Sequence, residues 1–184
     1  MLIVPFQINR FTLMIFLILL ILSGTSNCQS QRSEDPGLSG YQQYYPYNYS
    51  IKRTVARVID GDTFVLTDSQ RVRMLGIDTP ELERNGKPAE PFSDSAFHFS
   101  KSLLEGKIIK LTFDGKAFDI FGRLLSYVWL TDVNGKDSLF IQAELLKKGY
   151  ARISYYNKDK RYYHIFYNLR RTARKNNLGI WSDE

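Results

Sequence analysis

One cysteine and two histidines are the whole supply of soft metal ligands in the 184 residues. A single cysteine, Cys28, excludes an intramolecular disulfide and any zinc site built on paired thiolates, so the chain holds itself together by packing. His98 and His164 fall on segments with helical periodicity and read as packing or surface groups, not ligands. A membrane-length apolar run is also missing. The stretch from Leu13 to Leu22 is short of the roughly 20 apolar residues that a span needs. It has no polar face, follows Arg10 and runs into small and polar residues, which is the pattern of a secretory signal. Export is the expectation, with residues 1–28 as the signal. Cys28 stands where a bacterial lipoprotein carries its lipidated cysteine, but the preceding "TSN" departs from the usual small-residue box. Lipidation at Cys28 and plain cleavage near Ser26 both remain open, and a single acyl chain anchors only marginally.

Aliphatic residues are almost absent from Gln29 to Ser50, "QSQRSEDPGLSGYQQYYPYNYS", which reads as a flexible tether over 29–50. Its tyrosines could also stack on bases or a sugar polymer. The folded domain is expected over 51–184. The formal net charge is +6, and all of it lies in that domain, because the basic and acidic residues before Ile51 balance. A basic domain suits a polyanionic partner without requiring one. The hydrophobic fraction of 43% allows a core of ordinary size.

The first third of the domain has β-branched alternation in "IKRTVARVI", "TFVLT" and "RVRMLGI", with "DSQ" turning the second into the third. A helix is predicted in "PFSDSAFHFSKSLLEGK", from apolar positions at Phe92, Ala96, Phe99, Leu103 and Leu104, with Gly106 as its C-cap. Strands follow in "IIKLTF" and "RLLSYVWLT", then a helix in "SLFIQAELLKKGY" and a strand-like "ARISYY". A basic helix from Lys160 to Lys175 turns Tyr162, Ile165, Phe166 and Leu169 inward and Arg170, Arg171, Arg174 and Lys175 outward. Five or so strands with helices after the third and at the end predict an α+β fold: a five-stranded OB-fold β-barrel with about three helices.

Three polar clusters interrupt these strands. They are Asp60-Gly61-Asp62-Thr63, "GIDTPELE" with Asp78, Thr79 and Glu81, and "DIFGR" ending in Arg123. Alternation along the third strand puts Arg73, Leu75 and Ile77 on one face. Asp62, Asp78 and Glu81 offer oxygen only, which selects Ca²⁺ or Mg²⁺ over zinc or copper. Arginines bind phosphate oxygens bidentately. A metal, a carboxylate for water and two arginines together make a phosphodiester-hydrolysing set. Each piece has a plainer reading: Asp-Gly is a common turn, and Asp-Thr-Pro-Glu is a good helix start. Their joint occurrence in a basic, strand-rich domain carries the inference.

From about Arg53 to Ser182 the chain resembles the staphylococcal nuclease (thermonuclease) family, calcium-dependent secreted nucleases on an OB-fold. The matching pieces, in order, are "VIDGDTF", "RVRMLGIDTPE", "FGRLLSYVWL", "ELLKKGYARISYY" and "LGIWS". The resemblance implies that Asp62 and Asp78 bind calcium with the Thr79 carbonyl, and that Asp60 supports them from behind. Gly61 lets the chain bend so that the carboxylate of Asp62 points at the ion. The resemblance makes Glu81 the general base or water-positioning carboxylate, Arg73 and Arg123 the clamp on the scissile phosphate, and Tyr155 part of the nucleotide site. It further implies DNA and RNA substrates and 3′-phosphate products; a monomer is the default expectation, and the N-terminal pattern points to a protein that is secreted or held at the cell surface or periplasm through a lipidated Cys28.

Departures from the family pattern concern substrate binding. The second tyrosine of the nucleotide site falls at Asn157, and the lysine and tyrosine before Gly-Arg are Ile120 and Phe121. The loop before the first helix is "PFSDSA". Two other function classes fit the composition: a non-catalytic nucleic-acid-binding module on the same barrel, and a surface lipoprotein that binds polyanions through the basic helix. The presence of Asp62, Asp78, Glu81, Arg73 and Arg123 together favours the enzyme.

Overall fold

The computed structural model describes residues 44–46, 49–132, 134–154 and 161–182. The signal, Cys28, most of the tether, Tyr155 and Asn157 lie outside the described residues.

The barrel is organised around one long strand, β2 (Ser50–Val58), which two neighbours share; β1 (Tyr44–Tyr45) precedes it. The first half of β2 pairs antiparallel with β6 (Ile108–Thr112), and its second half with β3 (Thr63–Leu66). The register slips between Val55 and Arg57, and such a bulge bends a strand so that it can serve both sides of a barrel. β3 turns back onto β4 (Arg71–Met74), β5 (Ile77–Asp78) follows, and β7 (Gly115–Lys116) leads to β8 (Leu124–Thr131). β8 pairs antiparallel with β6 and parallel with β4, which closes the ring β2-β3-β4-β8-β6. This is the five-stranded OB-fold barrel. β9 (Asp137–Phe140) extends β8 outside the ring, and β10 (Arg152–Ile153) pairs with β5. Phe64, Leu66, Val72, Ile109, Leu111, Leu124 and Val128 are buried in the core.

Three α-helices are present among the described residues: α1 (Ser93–Leu104), α2 (Ile141–Lys147) and α3 (Tyr163–Lys175). α1 presents Ser93, Ala96, Ser100 and Leu104 as its buried face, so two of the four positions under it are serines. Gly106 follows its C-terminus with φ of 73°, and its N–H donates to the Val55 carbonyl.

Several expectations change. "RVRMLGI" is not one strand. Gly76, at φ 76°, turns the chain after Met74, and an added Cβ there would lie 2.7 Å from the Phe166 ring. The alternation that grouped Arg73 with Leu75 and Ile77 therefore stops at Met74; Leu75 and Ile77 are both buried, while Arg73 reaches the surface cleft. The helix expected to start at Ser138 starts at Ile141, because Leu139 and Phe140 pair with Leu130 and Trp129 in β9. Phe140 stacks on the Trp129 ring at 4.1 Å, a contact between residues that helical periodicity cannot foresee. Within α3, Phe166 and Ala173 form the buried stripe with Leu169 packed beside them, and Ile165, one residue off it, is 48% exposed. At the end of the 29–50 segment β1 pairs with β7, and the buried Tyr45 lies 4.4 Å from the Phe113 ring.

Candidate active site

The Asp60–Thr63 turn is built from its own side chains. Asp60 Oδ1 accepts the Asp62 N–H at 3.1 Å, and the Ile59 and Asp60 N–H groups both donate to the Thr63 carbonyl. Asp62 is wholly buried. Its Oδ2 accepts the Thr79 N–H at 2.9 Å, and its Oδ1 accepts the Thr63 hydroxyl at 3.1 Å and pairs with Arg73. Its carbonyl accepts the Met74 N–H at 2.9 Å. A buried carboxylate needs such partners, since an unpaired one costs several kcal/mol.

Gly61 serves a purpose other than bending. Its φ is not in the left-handed region; an added Cβ would lie 2.6 Å from Thr79 Oγ1 and 2.9 Å from Ala96 Cβ. Glycine is needed for close approach, because the turn is clamped between the 79 loop and α1. The Ser100 hydroxyl of α1, itself buried, donates to the Gly61 carbonyl at 2.6 Å. Ser100 was not singled out from sequence, and only its buried helical position would have marked it.

Arg73 lies opposite Thr63 on β4 and forks between two carboxylates, reaching Asp62 Oδ1 with one nitrogen and Asp78 Oδ1 with the other at 2.5 Å. Asp78, 55% exposed, lies at the rim. Burial pushes the Asp60 carboxyl up, while the Arg73 charge and hydrogen bonds with Thr63 act against that rise. Glu81 is also raised, first by burial, then by the charges of Asp60 and Asp78, with Arg73 and Arg84 opposing. Asp60, Asp62, Asp78, Thr79, Glu81 and Arg73 thus form one electrostatic neighbourhood.

Arg123 comes from the turn between β7 and β8. Asp119 Oδ1 accepts the N–H groups of Phe121 and Arg123, each at 2.9 Å, and Oδ2 accepts Arg123 Nε at 2.7 Å. Burial raises the Asp119 carboxyl, but the hydrogen bonds from Arg123 and Phe121 and the Arg123 charge outweigh it and hold the group below the ordinary range. Asp119 is the second residue missed from sequence. It stands in the quoted "DIFGR", four positions before the arginine that it orients.

The two halves meet at a cleft of about 400 Å³ lined by Arg73, Asp78, Lys116, Phe121, Arg123 and Ser154. A larger groove, of about 870 Å³, lies over Lys52, Lys107, Ile108 and Ser138. Its one carboxylate, Asp132, is occupied by the N–H groups of Asn134 and Lys136.

The donors around Arg73 are all oxygen. Asp62 and Asp78 converge on a single cationic group, which fits the chemistry of a hard cation. Among the described residues no group of three or more His, Cys, Asp or Glu is arranged to hold a metal, so an ion at the two aspartates would need further ligands from backbone oxygen or water.

The family model described as "Staphylococcal nuclease homologue" matches residues 71–183. The thermonuclease of Staphylococcus intermedius is 35% identical over 130 residues, which cover 69% of this chain and 74% of the relative. Endonuclease YncB of Bacillus subtilis (strain 168) is 34% identical over 171 residues, covering 85% of this chain and 78% of the relative. A thermonuclease of Staphylococcus hyicus is 35% identical over 132 residues, 70% and 75% of the two chains.

Proposed function

The chain belongs to the staphylococcal nuclease family, and on that premise we propose that it is an exported, calcium-dependent nuclease that hydrolyses DNA and RNA to 3′-phosphate products. The observation that carries this reading is the cleft itself. Two arginines from separate elements, Arg73 and Arg123, line one wall with Asp78, and each is already aimed by a carboxylate.

Arg73 and Arg123 hold the non-bridging oxygens of the scissile phosphate and stabilise the charge that grows on them. Glu81 takes a proton from the attacking water. Its raised basicity suits that task, since a carboxylate of ordinary pKa is a weak base near neutrality. The proton is then available to the departing 5′-oxygen. Asp62, Asp78 and the Thr79 carbonyl would hold calcium, which would supply a positive charge that polarises the phosphate. Asp60 keeps the Asp62 backbone in place through its hydrogen bond to that N–H. Export through residues 1–28, with or without lipidation of Cys28, delivers the enzyme to compartments where calcium is abundant.

The test is incubation of the purified protein with single-stranded DNA in calcium, in EDTA and as Glu81→Gln. Digestion in calcium alone is expected. Intact DNA under all three conditions sinks the reading, and digestion unaffected by EDTA removes the metal from it.

A further inference from the structure

Part of the segment before the barrel is built into one wall of the cleft. β1 pairs antiparallel with β7, Tyr44 opposite Lys116 and Tyr45 opposite Gly115. Among the described residues β7 has no other strand partner. Lys116 lines the cleft with Arg73 and Arg123. Tyr45 is 6% exposed, although it lies in a stretch whose composition is that of a tether. Its ring stacks on Tyr49 at 4.8 Å and lies against the wholly buried Phe113, two residues before β7. The Tyr49 N–H donates to the Pro46 carbonyl at 2.9 Å, which turns the strap back before β2 begins at Ser50. Ser50 then pairs with Thr112, so the strap and β2 grip successive parts of the stretch from β6 to β7. Three packed rings bury an area that a flexible linker does not.

We propose that Tyr45 is a positioning residue for substrate: seated on Phe113, it holds β1 against β7 and so keeps Lys116 in the cleft, where the backbone of the bound strand passes. The proposal rests on the nuclease reading above and adds to it a residue outside the span 71–183 that the family model matches. An isolated pair of strands is marginal in water, so two strands of two residues each need outside support. The cluster of Tyr45, Tyr49 and Phe113 is that support. The turn after β7 is braced in another way: Gln70 donates to the Gly122 carbonyl, Arg71 to the Phe121 carbonyl, and Asp119 holds Arg123. Loss of β1 therefore leaves Arg123 in place and frees Lys116. A lysine meets phosphate as a point charge, and it attracts the bound strand before and during reaction alike. Such uniform binding shows in KM and leaves kcat unchanged.

The experiment measures cleavage of single-stranded DNA by the full-length protein and its variants, each well below its melting temperature. Tyr45→Ala is expected to raise KM by about 5- to 10-fold and to change kcat by less than about twofold. Tyr45→Phe keeps the ring and should keep both constants. Lys116→Met should raise KM by a similar factor, and adding Tyr45→Ala to it should change KM little further, because the two act through one contact. Hydrogen exchange read by mass spectrometry is independent of catalysis. In Tyr45→Ala, peptides over 113–117 should exchange about tenfold faster, while those over 124–131 keep the wild-type rate. An unchanged KM in Tyr45→Ala overturns the proposal, as do KM effects that multiply in the double variant. So does a Tyr45→Phe as impaired as Tyr45→Ala, or faster exchange throughout the barrel, which would make Tyr45 an ordinary core residue. Should the wild-type protein cleave no DNA, the nuclease reading fails on its own. The exchange data then decide the strap, together with the affinity of a fluorescein-labelled single strand for Glu81→Gln protein with and without Tyr45→Ala. Weaker binding without the ring supports the proposal, and equal binding overturns it.

Discussion

The two arginines of the cleft are held in opposite ways. Arg73 is joined to two carboxylates, the wholly buried Asp62 on the turn before β3 and Asp78 five residues on, past the Gly76 bend. Asp62 is in turn gripped by Thr79, and its turn by Ser100 of α1. Arg123 is joined to one carboxylate four residues earlier, inside a surface turn that makes its own hydrogen bonds. One arginine is thus tied to a buried carboxylate under α1, and the other is aimed by a carboxylate of its own surface turn, whose backbone Gln70 and Arg71 brace from outside. The first half of the site should fail together with the fold, and the second should fail alone.

The hardest blow to that contrast is Asp62→Ala. It leaves the Thr79 N–H unpaired at a wholly buried position and Arg73 with Asp78 as its one remaining carboxylate, and breaking a buried pair costs about 3–5 kcal/mol. Activity should fall to background and the urea midpoint should drop, both read on the same preparation. If the midpoint stays and only activity is lost, the barrel does not depend on this carboxylate.

Arg123→Ala should behave differently. Loss of one preorganised donor to the phosphate is expected to lower kcat by about 10²–10³-fold. The pair with Asp119 is partly exposed, so stability should change by less than about 1 kcal/mol. A large fall in Tm would show that the Arg123–Asp119 pair carries more of the fold than its exposure implies.

Gly61→Ala tests the clamp between the 79 loop and α1. A methyl group placed 2.6–2.9 Å from Thr79 and Ala96 must displace one of them, and overpacking of this kind costs about 1–3 kcal/mol. Thr79→Ala in the same chain removes the nearest atom, Oγ1, from that contact and should recover part of the loss. A neutral Gly61→Ala would return the glycine to the role of a bend.

The smallest effect concerns acid. The folded-state pKa of Asp119 is depressed, so its contribution to stability is present above the unfolded aspartate value of about 3.9 and is lost as pH falls through the lower, folded value. Asp119→Asn should therefore flatten the loss of stability below about pH 4 and leave the curve near neutrality almost parallel to the wild type. Denaturation at a series of pH values reads this directly. An unchanged acid limb would mean that Asp119 is not preferentially ionised in the fold.

Local pattern made most of the barrel legible. Alternation in "TFVLT" and "IIKLTF", the turn in "DSQ" and the helical spacing from Phe92 to Leu104 all depend on neighbours within a few residues, and each appears in the fold. Legibility ended where a distant contact outweighed the local pattern. "SLF" carries the periodicity of the helix after it, yet the Trp129 ring holds Phe140 in a strand. Ile165 is apolar and near the buried stripe of α3, but Phe166 fills the space over Gly76 and leaves it outside.

The sequence by itself determined which chemistry the domain can carry: oxygen donors without thiolates, two arginines, a basic balance, and the order of strands that forms an OB barrel. Residue type and short-range periodicity are enough for that, because they act through side-chain chemistry and backbone preference. The tertiary structure alone decided that Gly61 is required by Thr79 and Ala96, that Ser100 holds its carbonyl, and that Arg73 bridges Asp62 and Asp78. It also left Phe121 uncovered beside Arg123. The grip on Gly61 and the pairing of Arg73 with Asp62 join residues 11 to 39 positions apart, and even the nearer pairs, Arg73 with Asp78 and Phe121 with Arg123, take their setting from how the ring closes and how α1 packs beneath it. No local spacing encodes them.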